Sequence, residues 1–123
     1  MSQRIFVTGM GAVSPLGLDV NSTWDNISRG ISGINHITSF DTEGFDTKVA
    51  AEVKGFEPTD YLGKKESRRM DRFAQFATVA AKEALVSANV KLDSTDPSRI
   101  GIVMGTGIGG ILTLSREFQT LKE

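Results

Sequence analysis

The sequence predicts an α/β fold in which strands and helices alternate. Two runs of mostly β-branched and apolar residues, 4–8 and 99–104, show little alternation with polar residues, which is typical of strands covered on both faces of a sheet. Each run leads into a glycine-rich turn, at 9–17 and 105–110. The stretch 65–88 between them repeats apolar residues at helical spacing. Buried strands separated by helical sequence indicate the α/β class.

A short amphipathic helix is predicted after the first glycine-rich loop. Pro15 disfavours helical backbone at Ser14, so that residue still belongs to the loop. Asp19 or Asn21 can cap the helix, and Gly30 supplies a stop at its C-terminal end. The apolar side chains that share one face are Val20, Trp24 and Ile27.

The stretch from 31 to 61 carries weaker signals and is rich in turn-forming residues. Its best candidate strand is 47–54, where Val49, Ala51 and Val53 alternate with polar or small neighbours. We therefore expect one strand here, with loops around it.

The stretch 65–88 is the clearest helix in the sequence. Most of its apolar positions are alanine: Met70, Phe73, Ala77, Ala80, Ala81, Ala84 and Ala88. Because alanine side chains are small, other backbones can approach this helix closely. Such an alanine stripe suits a helix enclosed in a larger assembly better than one on the outside of a small protein.

A final helix is predicted after the second glycine-rich turn, with Ile111, Leu114, Phe118 and Leu121 on its apolar face. The sequence ends at Glu123 without the glycine, asparagine or proline that usually stops a helix. Together with the alanine stripe, this ending leads us to expect that the 123 residues are the first part of a longer chain.

Composition argues against several classes of function. A formal net charge of −1 argues against bulk attraction to nucleic acid or to a membrane. The chain contains no cysteine and one histidine, which excludes disulfides and thiol nucleophiles and disfavours an all-protein zinc site. The first apolar run is too short for a signal peptide or a membrane span, so a cytoplasmic location is expected.

Five features occur in a definite order along the chain: 7–17, the Trp24 helix with 30–33, 40–41, 64–71 and 105–110. In this order they resemble the N-terminal part of the type II β-ketoacyl-acyl-carrier-protein synthases, which are condensing enzymes of the thiolase-like superfamily. The order is the specific signal, because a single glycine-rich loop would be ambiguous. The resemblance implies a layered αβαβα fold that is incomplete in this chain, with residues 1–123 ending before the nucleophile.

The resemblance also implies a reaction, the decarboxylative Claisen condensation of acyl groups with malonyl-acyl carrier protein in fatty-acid elongation. In the family a cysteine and two histidines carry this chemistry, and no residue of this chain matches them. No catalytic residue is therefore expected here, and His36 is interpreted as a bystander. The implied partners are acyl carrier protein and acyl and malonyl thioesters, with no cofactor or metal and with a homodimer as the complete protein.

Two features of the chain are candidate sites under this resemblance. The stretch 64–72 carries five cations against two carboxylates. Cations in a first helical turn oppose the helix dipole, so helix stability alone would not select them. A solvated charged face is the simpler alternative, but the resemblance assigns carrier-protein docking to Lys65, Arg68 and Arg69. It also implies that Ile108 lines and gates the acyl-chain pocket, where the alternative is ordinary loop packing.

Three other functions are alternatives to the fatty-acid enzyme. A condensing-enzyme fold without its nucleophile could serve as a chain-length or binding subunit, and polyketide ketosynthases share the same segments. Gly9 and Gly11 after a strand also suggest a dinucleotide-binding loop. Ser14 and Pro15 occupy the place of its third glycine, and no strand ending in an acidic residue follows at the expected distance. The oxidoreductase alternative is therefore disfavoured.

Overall fold

The computed structural model describes residues 4–122, which form helices and one small sheet. Within this range the helices are α1 (Val20–Ser28), α2 (Lys64–Ser67), α3 (Arg72–Ser87) and α4 (Ile111–Thr120). The strands are β1 (Ile34–His36) and β2 (Val49–Ala51), and short 3-10 turns span Pro58–Asp60, Leu92–Ser94 and Pro97–Arg99. Residues 1–3 and Glu123, at which the sequence ends, lie outside the described residues. Among the residues described, no helix has the length and apolarity that crossing a membrane requires.

Helix α1 begins and ends where the sequence predicts. The Asp19 carboxylate accepts a hydrogen bond from Ser22 N at 2.8 Å, so Asp19 is the residue that caps the helix. Gly30 follows the last turn with φ of +67°, a backbone conformation that favours glycine. Trp24 and Ile27 remain exposed, so the described residues leave part of the apolar face of α1 uncovered.

The predicted strand over 47–54 is confirmed in its centre as β2. It pairs antiparallel with β1, so that Ile34 lies opposite Ala51 and His36 lies opposite Val49. The sequence did not reveal β1, because its three residues are too few to display an alternating pattern.

Glu52, directly after β2, ties the chain that follows β1 to this sheet. Its carboxylate accepts hydrogen bonds from Thr38 Oγ1 at 2.7 Å and from the backbone amides of Thr38 and Ser39 at 3.0 Å. The bonds from Thr38, followed by those from Ser39, lower the pKa of Glu52 from 4.5 to about 2. Their contribution to stability is thus fully present above pH 4.5 and is lost as the pH falls through 2.

The prediction of one continuous helix is wrong, because the chain breaks between α2 and α3. The Asp71 backbone is extended, and its Oδ1 accepts a hydrogen bond from Arg72 N at 2.6 Å, which begins α3. The buried Gln75 amide donates to Ser67 O at 2.8 Å and to Met70 O at 3.2 Å. These bonds satisfy two backbone carbonyl groups that the break leaves without a partner in a helix. The apolar spacing continues across the break and so conceals it in the sequence.

The prediction of buried strands at 4–8 and 99–104 is also wrong for the chain by itself, because neither run forms a strand there. Ile5 is 94% exposed and Val103 is 97% exposed, and Arg99 belongs to a 3-10 turn. Among residues 4–122 the one sheet consists of β1 and β2. A strand needs a neighbour that takes up its backbone hydrogen bonds. The apolar composition predicts burial, but the described residues do not supply the partner that burial requires.

The glycine-rich loop after the first apolar run packs directly on α3. An added Cβ at Gly9 would lie 2.7 Å from Ala88 Cβ, and one at Gly11 would lie 2.8 Å from Ala84 N. Both distances are shorter than a Cβ atom tolerates. The prediction that the alanine stripe admits a close backbone is thus confirmed.

Glu83 fixes the same loop by accepting hydrogen bonds from two backbone amides. Its Oε2 accepts from Ala12 N at 2.8 Å, and its Oε1 accepts from Val20 N at 2.9 Å. Val20 is the first residue of α1, and the early amides of a helix have no partner within it. One side chain of α3 therefore anchors both the loop and the start of α1.

The buried core is small and lies between α3 and the segment that precedes α2. Phe56 and Leu62 come from that segment, and Val79 comes from α3. The partly buried residues packed around them are Val13, Leu18, Val53, Met70 and Phe76. This core holds the segment before α2, and with it α2 itself, against the first half of α3.

Replacing Gly11 with alanine is expected to destabilise the chain, because the new Cβ would overlap the α3 backbone at Ala80 and Ala84. Overpacking of this kind costs about 1–3 kcal/mol. Gly101→Ala is the matched control, since nothing lies near that position and a change there should stay within about 0.5 kcal/mol. Urea denaturation of both variants measures the difference, and equal stabilities would contradict the packing.

Candidate functional site

The predicted docking cations lie together on the surface of α2 and the turn that follows it. Lys65, Arg68 and Arg69 are all exposed, and with Lys64 they line a shallow depression of about 370 Å³. Ser67, between them, is buried and its hydroxyl donates to Lys64 O at 3.1 Å. The buried serine directs the neighbouring cations outward, so the structure brings the three predicted residues onto one face.

The electrostatic reason given for these cations in the sequence is wrong for two of them. Arg68 caps the C-terminal end of α2, and Arg69 follows it before the cap of α3 at Asp71. Helix α2 is a single turn of four residues, so its dipole is weak, and the 16-residue α3 begins only at Arg72. The break removes the premise of the prediction, because Arg68 and Arg69 lie in the turn between two helices and not in a first helical turn.

Arg72 is separate from this exposed surface. Its guanidinium carbon lies 4.8 Å from the ring centroids of both Phe56 and Phe76, and its Nη1 donates to Phe56 O at 3.2 Å. A guanidinium held over two aromatic faces contributes to packing as well as to charge. Arg72 therefore braces the small core, and the basic surface consists of the cations that precede it.

A cleft of about 500 Å³ lies between this junction and α4. One wall is formed by 67–72 with Gln75, and the other is formed by Leu112, Thr113, Arg116 and Glu117. Arg116 thus faces the same space as Arg68 and Arg69, which form the basic turn after α2. Sequence reasoning did not select Arg116, because it is an isolated cation on the polar face of the final helix.

Asp71 joins the two walls of the cleft. Its Oδ2 accepts hydrogen bonds from Thr113 N and Thr113 Oγ1, both at 2.9 Å, while Oδ1 caps α3. Gly110, which precedes α4, has no side chain to cap that helix, so Asp71 supplies the cap from a distance. These bonds from Thr113, then the bond from Arg72 N and the charge of Arg116, lower the pKa of Asp71 below 3.8.

Ile108 lies in the turn before α4 and is 80% exposed. The turn is shaped by Gly109, whose φ is +79° and whose amide donates to Thr106 Oγ1 at 3.1 Å. Ile108 lines neither the cleft nor the basic depression. His36 also lies outside both, in β1. Among the described residues, the predicted gate and the predicted docking residues therefore do not share a pocket.

Residues 2–123 match the protein family described as Beta-ketoacyl synthase, N-terminal domain. The chain is 47% identical over 112 residues to 3-oxoacyl-acyl-carrier-protein synthase 2 of Staphylococcus aureus (strain COL), a match that covers 91% of this chain and 27% of that protein. The chain thus spans about a quarter of the length of this curated relative.

Two solved structures have a similar fold. The ishigamide ketosynthase/chain length factor matches with a TM-score of 0.75 and 30% identity, over 95% of this chain and 30% of that chain. A type II polyketide synthase acyl carrier protein in complex with its ketosynthase bound to the hexaketide gives a TM-score of 0.78 and 26% identity. That match covers 98% of this chain and 31% of the other.

Removing the Asp71 carboxylate is expected to loosen the start of α4. In Asp71→Ala the amide of Thr113 loses its acceptor, so hydrogen exchange over 111–116, followed by mass spectrometry, should become faster. Thr113→Val is the matched control, because it removes the hydroxyl bond and keeps the amide bond. Equal exchange in the two variants would contradict the capping role.

The hydrogen bond from Thr113 N to the Asp71 carboxylate is expected to depend on pH. Because folding lowers the pKa of Asp71 below 3.8, protection over 111–116 should be complete above pH 3.8 and should decrease as the pH falls through the lower, folded value. The rates are corrected for the intrinsic effect of pH, and Asp71→Ala should show no such decrease.

Proposed function

The chain belongs to the beta-ketoacyl synthase family, and from this premise we propose that the complete protein is a 3-oxoacyl-acyl-carrier-protein synthase. Its reaction is the condensation of an acyl group with malonyl-acyl carrier protein in fatty-acid elongation. The observation that carries the proposal is the 47% identity to an enzyme of that name over 91% of this chain.

The proposed reaction needs chemical groups that these 123 residues do not contain. An acyl group moves from its carrier to a cysteine thiolate, forming an enzyme thioester and releasing the carrier thiol. Malonyl-carrier then loses CO₂, and the electron pair of the broken bond attacks the acyl carbonyl while the cysteine thiolate leaves. The chain has no cysteine, so the nucleophile comes from further sequence and the 123 residues alone are inactive.

In this proposal residues 1–123 form the N-terminal part of a synthase domain with a layered αβαβα fold. The runs 4–8 and 99–104 become buried strands when the rest of the domain supplies their sheet neighbours. The exposure of their apolar side chains in the chain by itself supports this assignment. The complete protein acts in the cytoplasm as a homodimer.

The exposed cations Lys65, Arg68 and Arg69 are the proposed docking residues for acyl carrier protein. Their placement on one face supports the assignment, because opposite charges on two proteins speed their encounter and orient them. A ketosynthase with a similar fold has been solved in complex with its acyl carrier protein. Ile108 is the proposed gate of the acyl pocket, and its exposure on a glycine-rich turn leaves its side chain room to move.

A second candidate is a polyketide ketosynthase or its non-catalytic chain-length partner. The similarity to the ishigamide ketosynthase/chain length factor favours it. The sequence outside these 123 residues separates the two classes, since the enzyme needs a nucleophilic cysteine and two histidines and the non-catalytic partner does not.

The full-length product of the coding sequence that contains residues 1–123 is expected to convert acyl-carrier and malonyl-carrier into 3-oxoacyl-carrier. Mass spectrometry of the carrier reports the product, and intact mass establishes that the enzyme is complete. The 123-residue chain is the control and should give no product, because it has no thiol. A complete, folded protein that forms no 3-oxoacyl-carrier would contradict the proposal and favour the non-catalytic partner.

Replacing Ile108 with phenylalanine in the full-length protein is expected to select against long acyl primers. The phenyl ring is larger than the isoleucine side chain and would fill the space that a long acyl chain occupies. We expect kcat/KM for long primers to fall about tenfold and kcat/KM for short primers to change about twofold at most. Ile108→Val is the control of smaller size and should keep the original preference. An unchanged preference in Ile108→Phe would refute the gating role.

A further inference from the structure

The cleft between the α2–α3 junction and α4 has cations on both walls. Arg68 and Arg69 lie on one wall, and Arg116 lies on the other. All three residues are exposed. The volume of about 500 Å³ is in the range of ligand pockets. It has room for a few side chains of a partner, whereas a whole partner helix would have to lie across the opening.

The other charged groups that line the cleft are largely engaged within the chain. Arg72 lies over two aromatic rings and donates to Phe56 O. Asp71 accepts hydrogen bonds from Arg72 N and Thr113. Glu117 is the remaining carboxylate among the lining residues. Asp71 keeps its negative charge, on which Arg116 also acts. The cleft is therefore lined by four guanidinium groups against two carboxylates, which leaves an excess of positive charge.

Arg116 is held at the cleft by the same contact that fixes α4. Thr113 is bonded to Asp71 through both its amide and its hydroxyl, and Arg116 follows Thr113 by three residues on the helix. Residues three apart lie on the same helix face. The bond at Thr113 therefore orients α4 so that Arg116 faces the basic turn.

We propose that this cleft receives acidic side chains of the carrier protein, so that Arg116 is a docking residue together with Arg68 and Arg69. The inference rests on the function proposed above and extends its docking surface from α2 to a second helix. An acidic partner helix would lie across the mouth of the cleft, with carboxylates reaching guanidinium groups on both walls. Arginine suits this role because its planar group binds carboxylates in a bidentate manner.

The placement of the cations favours an acidic protein over a small anion. The three guanidinium groups lie on two separate elements around an open cleft, and all belong to exposed residues. A small anion is held best where donors converge in a pocket closed to water, while charges distributed over a surface attract and orient an extended partner of opposite charge. The net charge of −1 for the whole chain makes this positive cleft a local feature.

The test measures the affinity of the full-length protein for the acyl carrier protein of the same cell, at about 50 and 200 mM salt. Arg116→Glu should raise Kd about three- to tenfold at the lower salt concentration. The matched control is Lys122→Glu, which makes the same charge reversal outside the cleft, five residues after Glu117, the last residue that lines it, where Lys122 lies over the Phe118 ring. This control should change Kd less than about twofold, and the difference should shrink at the higher salt concentration.

Two further variants keep the outcome interpretable. Arg116→Gln removes the charge without reversing it and should give a smaller increase in Kd, so the test does not depend on the folding of one variant. Arg68→Glu tests the docking surface of the proposed function itself.

If Arg68→Glu weakens binding while Arg116→Glu matches Lys122→Glu, the inference about Arg116 is overturned and the proposed function stands. If Arg68→Glu has no effect either, the docking surface itself is overturned. If Arg116→Glu abolishes binding of inorganic phosphate but leaves carrier affinity unchanged, the cleft is a small-anion site and the inference is again overturned.

Discussion

The close packing of the glycine-rich loop on α3 is the constraint on which the described structure depends. At Gly9 and Gly11 the two backbones lie so near one another that no side chain fits between them, and alanine occupies the facing positions of the helix. This approach requires small residues on both sides. Glu83 then sets the orientation, because its carboxylate binds one amide of the loop and the first amide of α1. Loop, α1 and α3 consequently form one unit.

A second carboxylate does the same work at the other end of α3. Asp71 caps its own helix and, through Thr113, the helix α4 that follows about forty residues later. Each acidic side chain therefore satisfies backbone amides that α1 or α4 cannot satisfy internally. In this way α3 fixes the positions of both neighbouring helices, and the basic turn and α4 keep a defined separation across the cleft.

The helices were predictable from sequence because their signals are local. The cap of α1, its stop at Gly30 and the spacing in α4 each lie within a few residues of the element that they define. The break before α3 was not predictable, because the bonds that stabilise it come from Gln75 in the next helix and from Thr113 in a distant one. Strand formation depends even more on distant partners, so the apolar runs at 4–8 and 99–104 predict burial without predicting pairing.

The difference between local signals and distant contacts also applies to the candidate site. It further distinguishes the residues proposed to bind the carrier from those that would perform the reaction. Lys65, Arg68 and Arg69 are neighbours in sequence and could be predicted as one exposed group, whereas Arg116 joins them only through the packing of α4. These groups lie on elements that are already packed against one another within this chain. The nucleophile that the proposed reaction requires is a cysteine, and this sequence contains none. In the proposed function, carrier binding and bond formation therefore depend on different parts of the protein, so a substitution in the cleft should change the first without altering the chemical groups that perform the second.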